Sequence, residues 1–283
     1  MTQVCSADSD AASSGPATLA FSAAHGIPVT WIGGLPIAVI NRSRSAEFMI
    51  QLAMSRRGTG GPPPYITSAN GQVLSMCARD GAIRALFTGA DLIHADGTPL
   101  VFASRLQSLI ALPERVATTD LFNDVAERAE QAGASFYLLG ATDGVIERAV
   151  EKTLERYPRL KIAGYRSGYF SRADEKDVVA QINAARPDIL WIGMGAPAEQ
   201  QFCIRNRMKL NSVGVLKTSG GLFDFVSGKN NRAPSWMQAF GLEWAYRMAL
   251  EPRRLAYRYL TTNPHALYLL LTHSGRPALT EKP

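Results

Sequence analysis

From Tyr65 to Asp224 the chain alternates short apolar runs with longer segments of helical length, and no other feature restricts the fold as much. The runs are Tyr65–Thr67, Leu92–Ala95, Ser135–Leu139, Lys161–Gly164, Ile189–Ile192 and Val213–Thr218. Between them stand periodic segments, Gly71 to Phe87, Pro99 to Leu109, Val145 to Tyr157, Asp174 to Ala185 and Glu199 to Lys209. The pattern predicts an α/β fold, a Rossmann-like and mostly parallel sheet with helices on both faces. In such sheets ligands bind at the carboxyl ends of the strands. The residues there are Thr67–Asn70, Asp96 and Gly97, Gly140, Gly193–Pro197 and Ser219–Asp224, nearly all small or polar.

The flanks differ from this core. Residues 1–26 are rich in Ser, Ala, Asp and Gly and read as a disordered tail. The core then spans 27–228. It opens with two apolar runs, Val29–Ile32 and Leu35–Ile40, joined by Gly33 and Gly34 as in a hairpin. Residues 229–283 read as a basic helical appendage. Its stretch from Lys229 to Leu260 carries a net charge of +4, interleaved with Trp236, Trp244, Tyr246, Tyr257 and Tyr259.

The whole chain of 283 residues has a net charge of +6, which favours acidic partners: nucleic acid, anionic membrane or phosphorylated substrates. Cys5, Cys77 and Cys203 lie far apart, which argues against a disulfide framework or a cysteine zinc site and fits the cytoplasm. The four histidines have no metal-ligand spacing, and no DxD motif follows any of the apolar runs, so no metal and no other cofactor is expected. No secretion signal and no spanning run is visible, so membrane contact is expected to be peripheral, on the inner face.

Several residues invite chemistry. Asp96 ends an apolar run within HADGTP, where a carboxylate can act as a general base; the alternative is a turn or capping residue. Thr67 and Asn70 form a polar pair suited to sugar hydroxyls or to capping the next helix. GMGAPAEQQF (Gly193–Phe202) reads as a strand-to-helix turn whose Gly193 and Gly195 serve either a phosphate or tight packing. Arg247, Arg254 and Arg258 are spaced by near-whole helical turns, unless Pro252 starts a new helix. They offer forks for a diphosphate or a solvated basic face, and the aromatics among them favour a membrane interface.

Three blocks carry a resemblance. They are ITSANGQVL with ADLIHADGTPLV; FYLLGATDGVIERAV running on to IAGYRSGYF; and GGLFDFVSGKNNRAPSWMQAFGLEWAYRMALEPRRLAYRYL. Over Ile66 to Leu260, about two-thirds of the chain, the sequence resembles the WecG/TagA/CpsF glycosyltransferases, glycosyltransferase family 26. The resemblance implies inverting transfer of a sugar from a UDP-sugar to a polyprenyl-diphosphate-linked glycan, without metal, in bacterial surface polysaccharide synthesis. Family donors include UDP-N-acetylmannosamine, its uronic acid and UDP-glucose, the last in exopolysaccharides of the xanthan type. The implied base is Asp96. The implied substrate-binding set is Thr67, Asn70, Asp120, Gly140, Gly193, Gly195, Pro197, Gln200, Asp224, Arg232, Arg247, Arg254 and Arg258, with Arg253 also among the appendage arginines.

Two departures bear on the donor. Glu199-Gln200 stands where the family usually has Gln-Glu, and Thr118 replaces a glycine before Thr119-Asp120-Leu121. The implied partners are the UDP-sugar, the lipid-linked acceptor and an anionic membrane surface, with room for a homo-oligomer. Two other classes compete. A nucleotide-dependent oxidoreductase needs an early glycine fingerprint with an acidic ribose ligand, and neither is evident. A nucleic-acid-binding module suits the basic appendage, but no helix-turn-helix, zinc or RNA-binding signature stands in the chain.

Overall fold

A computed structural model describes residues 16–275, apart from 235, 238 and 239 and the side chain of Arg254. Six strands form one parallel sheet: β3 (Tyr65–Ala69), β4 (Leu92–Ala95), β5 (Ser135–Gly140), β6 (Lys161–Arg166), β7 (Ile189–Gly193) and β8 (Val215–Thr218). Their order is β4-β3-β8-β7-β5-β6. All six coincide with the apolar runs of the sequence. The strands other than β6 are buried on both faces because each face meets its own helical layer. Tyr65, Leu190, Ile192 and Leu216 belong to one core. Ile66, Phe136, Leu138, Trp191 and Val215 belong to the other. The edge strand β6 alone alternates between half-buried and exposed residues.

A separate hairpin, β1 (Val29–Ile32) and β2 (Leu35–Ala38), turns on Gly33 and Gly34 as expected. Both glycines have positive φ, 55° and 81°, the conformation a two-residue hairpin loop demands. Its helix neighbours are α1 (Ala17–Ala24) and α2 (Arg42–Ser55), the latter capped by Asn41, which accepts a hydrogen bond from Arg44 N. The presence of α1 corrects part of the tail assignment. Its Thr18 is buried and donates to Ala90 O at 2.7 Å, so these residues pack on the core despite their composition. Residues 1–15 lie outside the described residues.

The segment Gly71 to Phe87 is two helices, α3 (Gly71–Arg79) and α4 (Gly81–Thr88), rather than one. Asp80 divides them: it adopts an extended conformation, and its carboxylate caps Ala82 N and Ile83 N. Further along lie α5 (Thr98–Gln107), α6 (Thr118–Ala132), α7 (Asp143–Arg156), α8 (Glu175–Ala185), α9 (Ala198–Asn206) and α10 (Leu222–Val226). Of these, α6 was not visible as a periodic segment; it ends at Gly133 in the left-handed conformation.

The C-terminal segment contains α11 (Glu243–Leu250) and α12 (Pro252–Thr272). Pro252 occupies the first turn of α12, where its missing N–H costs nothing, so Arg247 and Arg258 stand on separate helices. The second helix lies along α3, close enough that a Cβ at Gly71 would stand 3.2 Å from that of Ala266. Its far end is stitched to the hairpin: Gly34 N donates to His273 O, Gly33 N to Ser274 Oγ, and Gly275 N to Trp31 O. No helix among the described residues is long and apolar enough to cross a membrane.

Candidate active site

A cleft of about 560 Å³ lies between the carboxyl ends of β3, β4 and β8 and the inner faces of α11 and α12. Ser68, Asn70, Asp96, Arg115, Thr118, Gly195, Glu199, Gln200 and Ser219 line its sheet side, and Trp244, Arg247, Arg258, Asn263 and Leu267 its helical side.

Asp96 continues β4, its N–H donating to Ala69 O at 2.8 Å. One carboxylate oxygen, Oδ2, accepts from Thr118 N at 3.2 Å and Thr118 Oγ1 at 2.9 Å. Asp96 therefore caps a helix, though the neighbouring α6 rather than the helix that follows it in sequence. Burial pushes its carboxyl above the usual range, against the pull of the Thr118 bonds and of the charges on Arg115 and Lys217. Asn70 caps α3 through Val73 N at 3.1 Å and lines the cleft.

Thr67 is fully buried below the cleft. It shares a 2.8 Å hydrogen bond with Thr218 and accepts from Gln200 Nε2 at 3.3 Å, so it supports the floor, while its neighbour Ser68 faces the cavity. Gln200 is buried too, and its Oε1 has no hydrogen-bond partner.

The glycine turn works differently from a phosphate cradle. Met194 N, Gly195 N and Gly220 N all donate to Glu199 Oε2, at 3.3, 3.2 and 2.9 Å. The chain's own carboxylate thus takes the donors that a pyrophosphate would need. Burial raises the Glu199 carboxyl, partly offset by the bond from Gly220 and the charge of Lys217. Gly140 and Gly193 answer to packing: a Cβ at Gly140 would stand 2.3 Å from Gly193 O, and one at Gly193 2.7 Å from the Phe223 ring. Neither lines the cleft, nor does Pro197, which precedes α9.

Three further residues of the expected set are placed elsewhere. Asp120 and Arg232 form a forked ion pair, which Arg115 at 3.8 Å and Arg42 at 3.7 Å join from the side. Their charges serve each other and tie the C-terminal segment to α6. Asp224 pairs with Lys229 at 3.0 Å outside the cleft lining. Arg253 is exposed away from the cleft, and the side chain of Arg254 lies outside the described residues.

Arg247 and Arg258 do reach the cleft. Arg247 stacks on the Phe225 ring at 5.4 Å and Arg258 on the Tyr259 ring at 4.8 Å. Neither guanidinium meets a carboxylate among the described residues, and Arg258 Nε is buried without a partner. Both guanidinium groups are half-buried and keep donors turned to the cleft, the arrangement that suits an anion.

One residue gave little signal in the sequence. Lys217 is wholly buried in β8, and its Nζ donates to Ser68 Oγ at 2.8 Å and Thr218 O at 2.9 Å. Burial lowers its pKa to about 8, against the opposing charges of Asp96 and Glu199. The sequence trace is a single lysine inside the apolar run Val213–Thr218. Among the described residues no group of three or more His, Cys, Asp or Glu is placed to hold a metal, and the one D-x-D triplet, Asp8-Ser9-Asp10, lies outside them.

This cleft therefore joins a carboxylate of raised pKa to two unpaired arginines, the parts that deprotonating a hydroxyl beside a diphosphate requires. A family model for the WecG/TagA/CpsF glycosyl transferases matches residues 30–278. The chain is 34% identical over 218 residues to the N-acetylglucosaminyldiphosphoundecaprenol N-acetyl-beta-D-mannosaminyltransferase of Bacillus subtilis (strain 168), covering 77% of this chain and 83% of that one. It is 32% identical over 219 residues to the protein of the same description from Bacillus spizizenii, covering 76% and 83%. With nearly the whole of the described structure inside the family match, the chain belongs to the WecG/TagA/CpsF family and is a glycosyltransferase.

Proposed function

We propose that the chain moves N-acetylmannosamine from its UDP derivative onto a polyprenyl-diphosphate-linked N-acetylglucosamine. The observation that carries this reading is the placing of Asp96 and the unpaired Arg247 and Arg258 in one cleft. Asp96 takes the proton from the acceptor hydroxyl as that oxygen attacks the anomeric carbon. The sugar–phosphate bond breaks on the opposite face, UDP leaves, and the configuration inverts. Asp96 Oδ2 is held by Thr118, which leaves Oδ1 for the hydroxyl. The arginine forks bind diphosphate oxygens, and the unpartnered Gln200 Oε1 accepts from a sugar hydroxyl.

The relatives' printed activity supports both donor and acceptor. The exposed Trp236, Tyr257 and Leu260 beside basic residues suit the surface of an anionic membrane, at the inner face where nucleotide sugars are made. The test is incubation with UDP-N-acetylmannosamine and, separately, UDP-glucose, each with a short-chain polyprenyl-diphosphate N-acetylglucosamine, and product mass by mass spectrometry. Gain of one N-acetylhexosamine supports the reading. Gain of a hexose from UDP-glucose alone overturns the donor, and no product from any UDP-sugar overturns the reaction.

A further inference from the structure

Lys217 sits where the sheet has no other use for a charge. Its neighbours across the strands are Ile66 of β3 and Trp191 of β7, both fully buried. An ammonium in such surroundings costs several kcal/mol to bury unless its donors and charge are used. Two of its three donors are accounted for, by Ser68 Oγ and Thr218 O.

The first of these bonds starts a path. Ser68 Oγ lies 3.3 Å from Thr118 Oγ1, which donates at 2.9 Å to Asp96 Oδ2. Three hydrogen bonds thus connect the buried ammonium to the carboxylate that faces the acceptor. Lys217 Nζ donates to Ser68, Ser68 donates to Thr118, and Thr118 donates to Asp96, so the path has one polarity throughout. We infer that Lys217 is a positioning residue for the transfer, acting through Ser68 and Thr118 to hold Asp96 ionised with Oδ1 turned to the cleft.

Bonds that polarise one another in series strengthen the last of them, here the one that fixes Asp96. The charge acts on Asp96 directly as well, drawing its carboxyl down against the effect of burial. Other groups act on the pair. Glu199 and Cys203 face Lys217 from α9, His94 from β4, and Arg115 acts on Asp96 from the segment before α6. His94 is held neutral, chiefly by burial and then by Lys217 itself, so it adds no second cation.

This inference rests on Asp96 being the base, and the test separates the two. Lys217→Met keeps length and volume, and its apolar surroundings accept the thioether, so folding should be retained. Transfer is followed from about pH 5 to about pH 9 for the parent, Lys217→Met, Ser68→Ala and Asp96→Asn. In Lys217→Met the acid limb of kcat should move up by about one pH unit, with a loss of up to about tenfold at pH values below the limb that disappears above it. KM for the UDP-sugar should stay within about twofold. Ser68→Ala breaks the path with the ammonium kept, and should shift the limb in the same direction by less. An unmoved acid limb in both variants, with Asp96→Asn inactive, overturns the role of Lys217 alone. A loss equal at every pH overturns it as well, because that marks a packing defect. Should Lys217→Met not fold, the limb of Ser68→Ala decides. Parent activity in Asp96→Asn removes the base on which the inference rests.

Discussion

Thr118 donates two hydrogen bonds to the same oxygen of Asp96, one from its backbone nitrogen at 3.2 Å and one from its hydroxyl at 2.9 Å. The carboxylate is therefore a helix cap and a candidate base at once: the bonds that satisfy the first turn of α6 also fix the direction of the free oxygen. A base needs a narrow set of angles to its hydroxyl, and a side chain pinned on one side supplies them without cost at the moment of reaction.

Asp96→Asn should preserve the fold and lower kcat by at least about a hundredfold. Because burial holds the Asp96 carboxyl above the usual range, the acid limb of kcat/KM should lie above about pH 4, the ordinary aspartate value. Activity requires the ionised form, so it falls as pH drops through the raised value. Thr118→Val keeps the backbone bond and loses the hydroxyl, so the limb should move higher still. A limb at the ordinary value, or parent turnover by Asp96→Asn, would remove Asp96 from the mechanism.

Replacing Arg247 and Arg258 together with Ala should raise KM for the lipid acceptor more than for the UDP-sugar, by at least about tenfold. Lysine at both positions should restore only part, because a point charge lacks the fork and the flat face that now lies on Phe225 and Tyr259. Initial rates with each substrate varied in turn are the check, and equal weakening of both substrates would assign these arginines a structural part.

The strand ends β5 and β7 approach so closely that Gly140→Ala sets a methyl 2.3 Å from one backbone oxygen and 2.8 Å from Gly193 Cα. Backbone cannot step aside, so the variant should lose at least about 2 kcal/mol in chemical denaturation. Gly195→Ala, with open space around its Cβ but a φ of 78°, should lose only about 1 kcal/mol. Similar stability for the two variants would contradict the packing argument.

Asp188 is buried between Arg57 and Ser135, with bonds of 2.6 and 2.7 Å from the guanidinium and 2.7 and 2.9 Å from Ser135. Burial pushes its carboxyl up, but these bonds together hold it below the usual range. A depressed carboxyl stabilises the fold above its unfolded pKa, and that stability is lost as pH falls through the folded value. Asp188→Ala should cost about 2 kcal/mol at neutral pH, discounted because Arg57 is half exposed. The gap from the parent should narrow below about pH 4. Denaturant midpoints at both pH values test this, and a gap that does not change with pH would deny the ion pair its role.

The strands were legible because a parallel sheet covered on both faces leaves short, mostly apolar runs between helix-length segments, as at Leu92–Ala95 and Ser135–Leu139. That Asp96 would line a cleft was legible because strand ends in such sheets are where clefts open. The pairing of Asp120 with Arg232 was not, since charges alone do not name their partners and 112 residues separate these two. The same holds for Glu199. The glycines beside it suggested waiting donors, and only the folded turn reveals a carboxylate already bound to them. The break at Asp80 was readable in principle, because an aspartate directly before a helical run is a capping signal.

The bonds from Gly33 and Gly34 to the end of α12 join residues as much as 241 apart in the chain. That helix supplies Asn263, Ala266 and Leu267 to the cleft. During synthesis the sheet and its aspartate are therefore complete long before the wall opposite them exists. At about 5–20 residues per second, the ribosome delivers that wall seconds after β8 has left it. A chain cut short of this helix keeps Asp96 at its strand end but lacks the wall opposite, and the cleft is closed on that side only when the hairpin catches the helix.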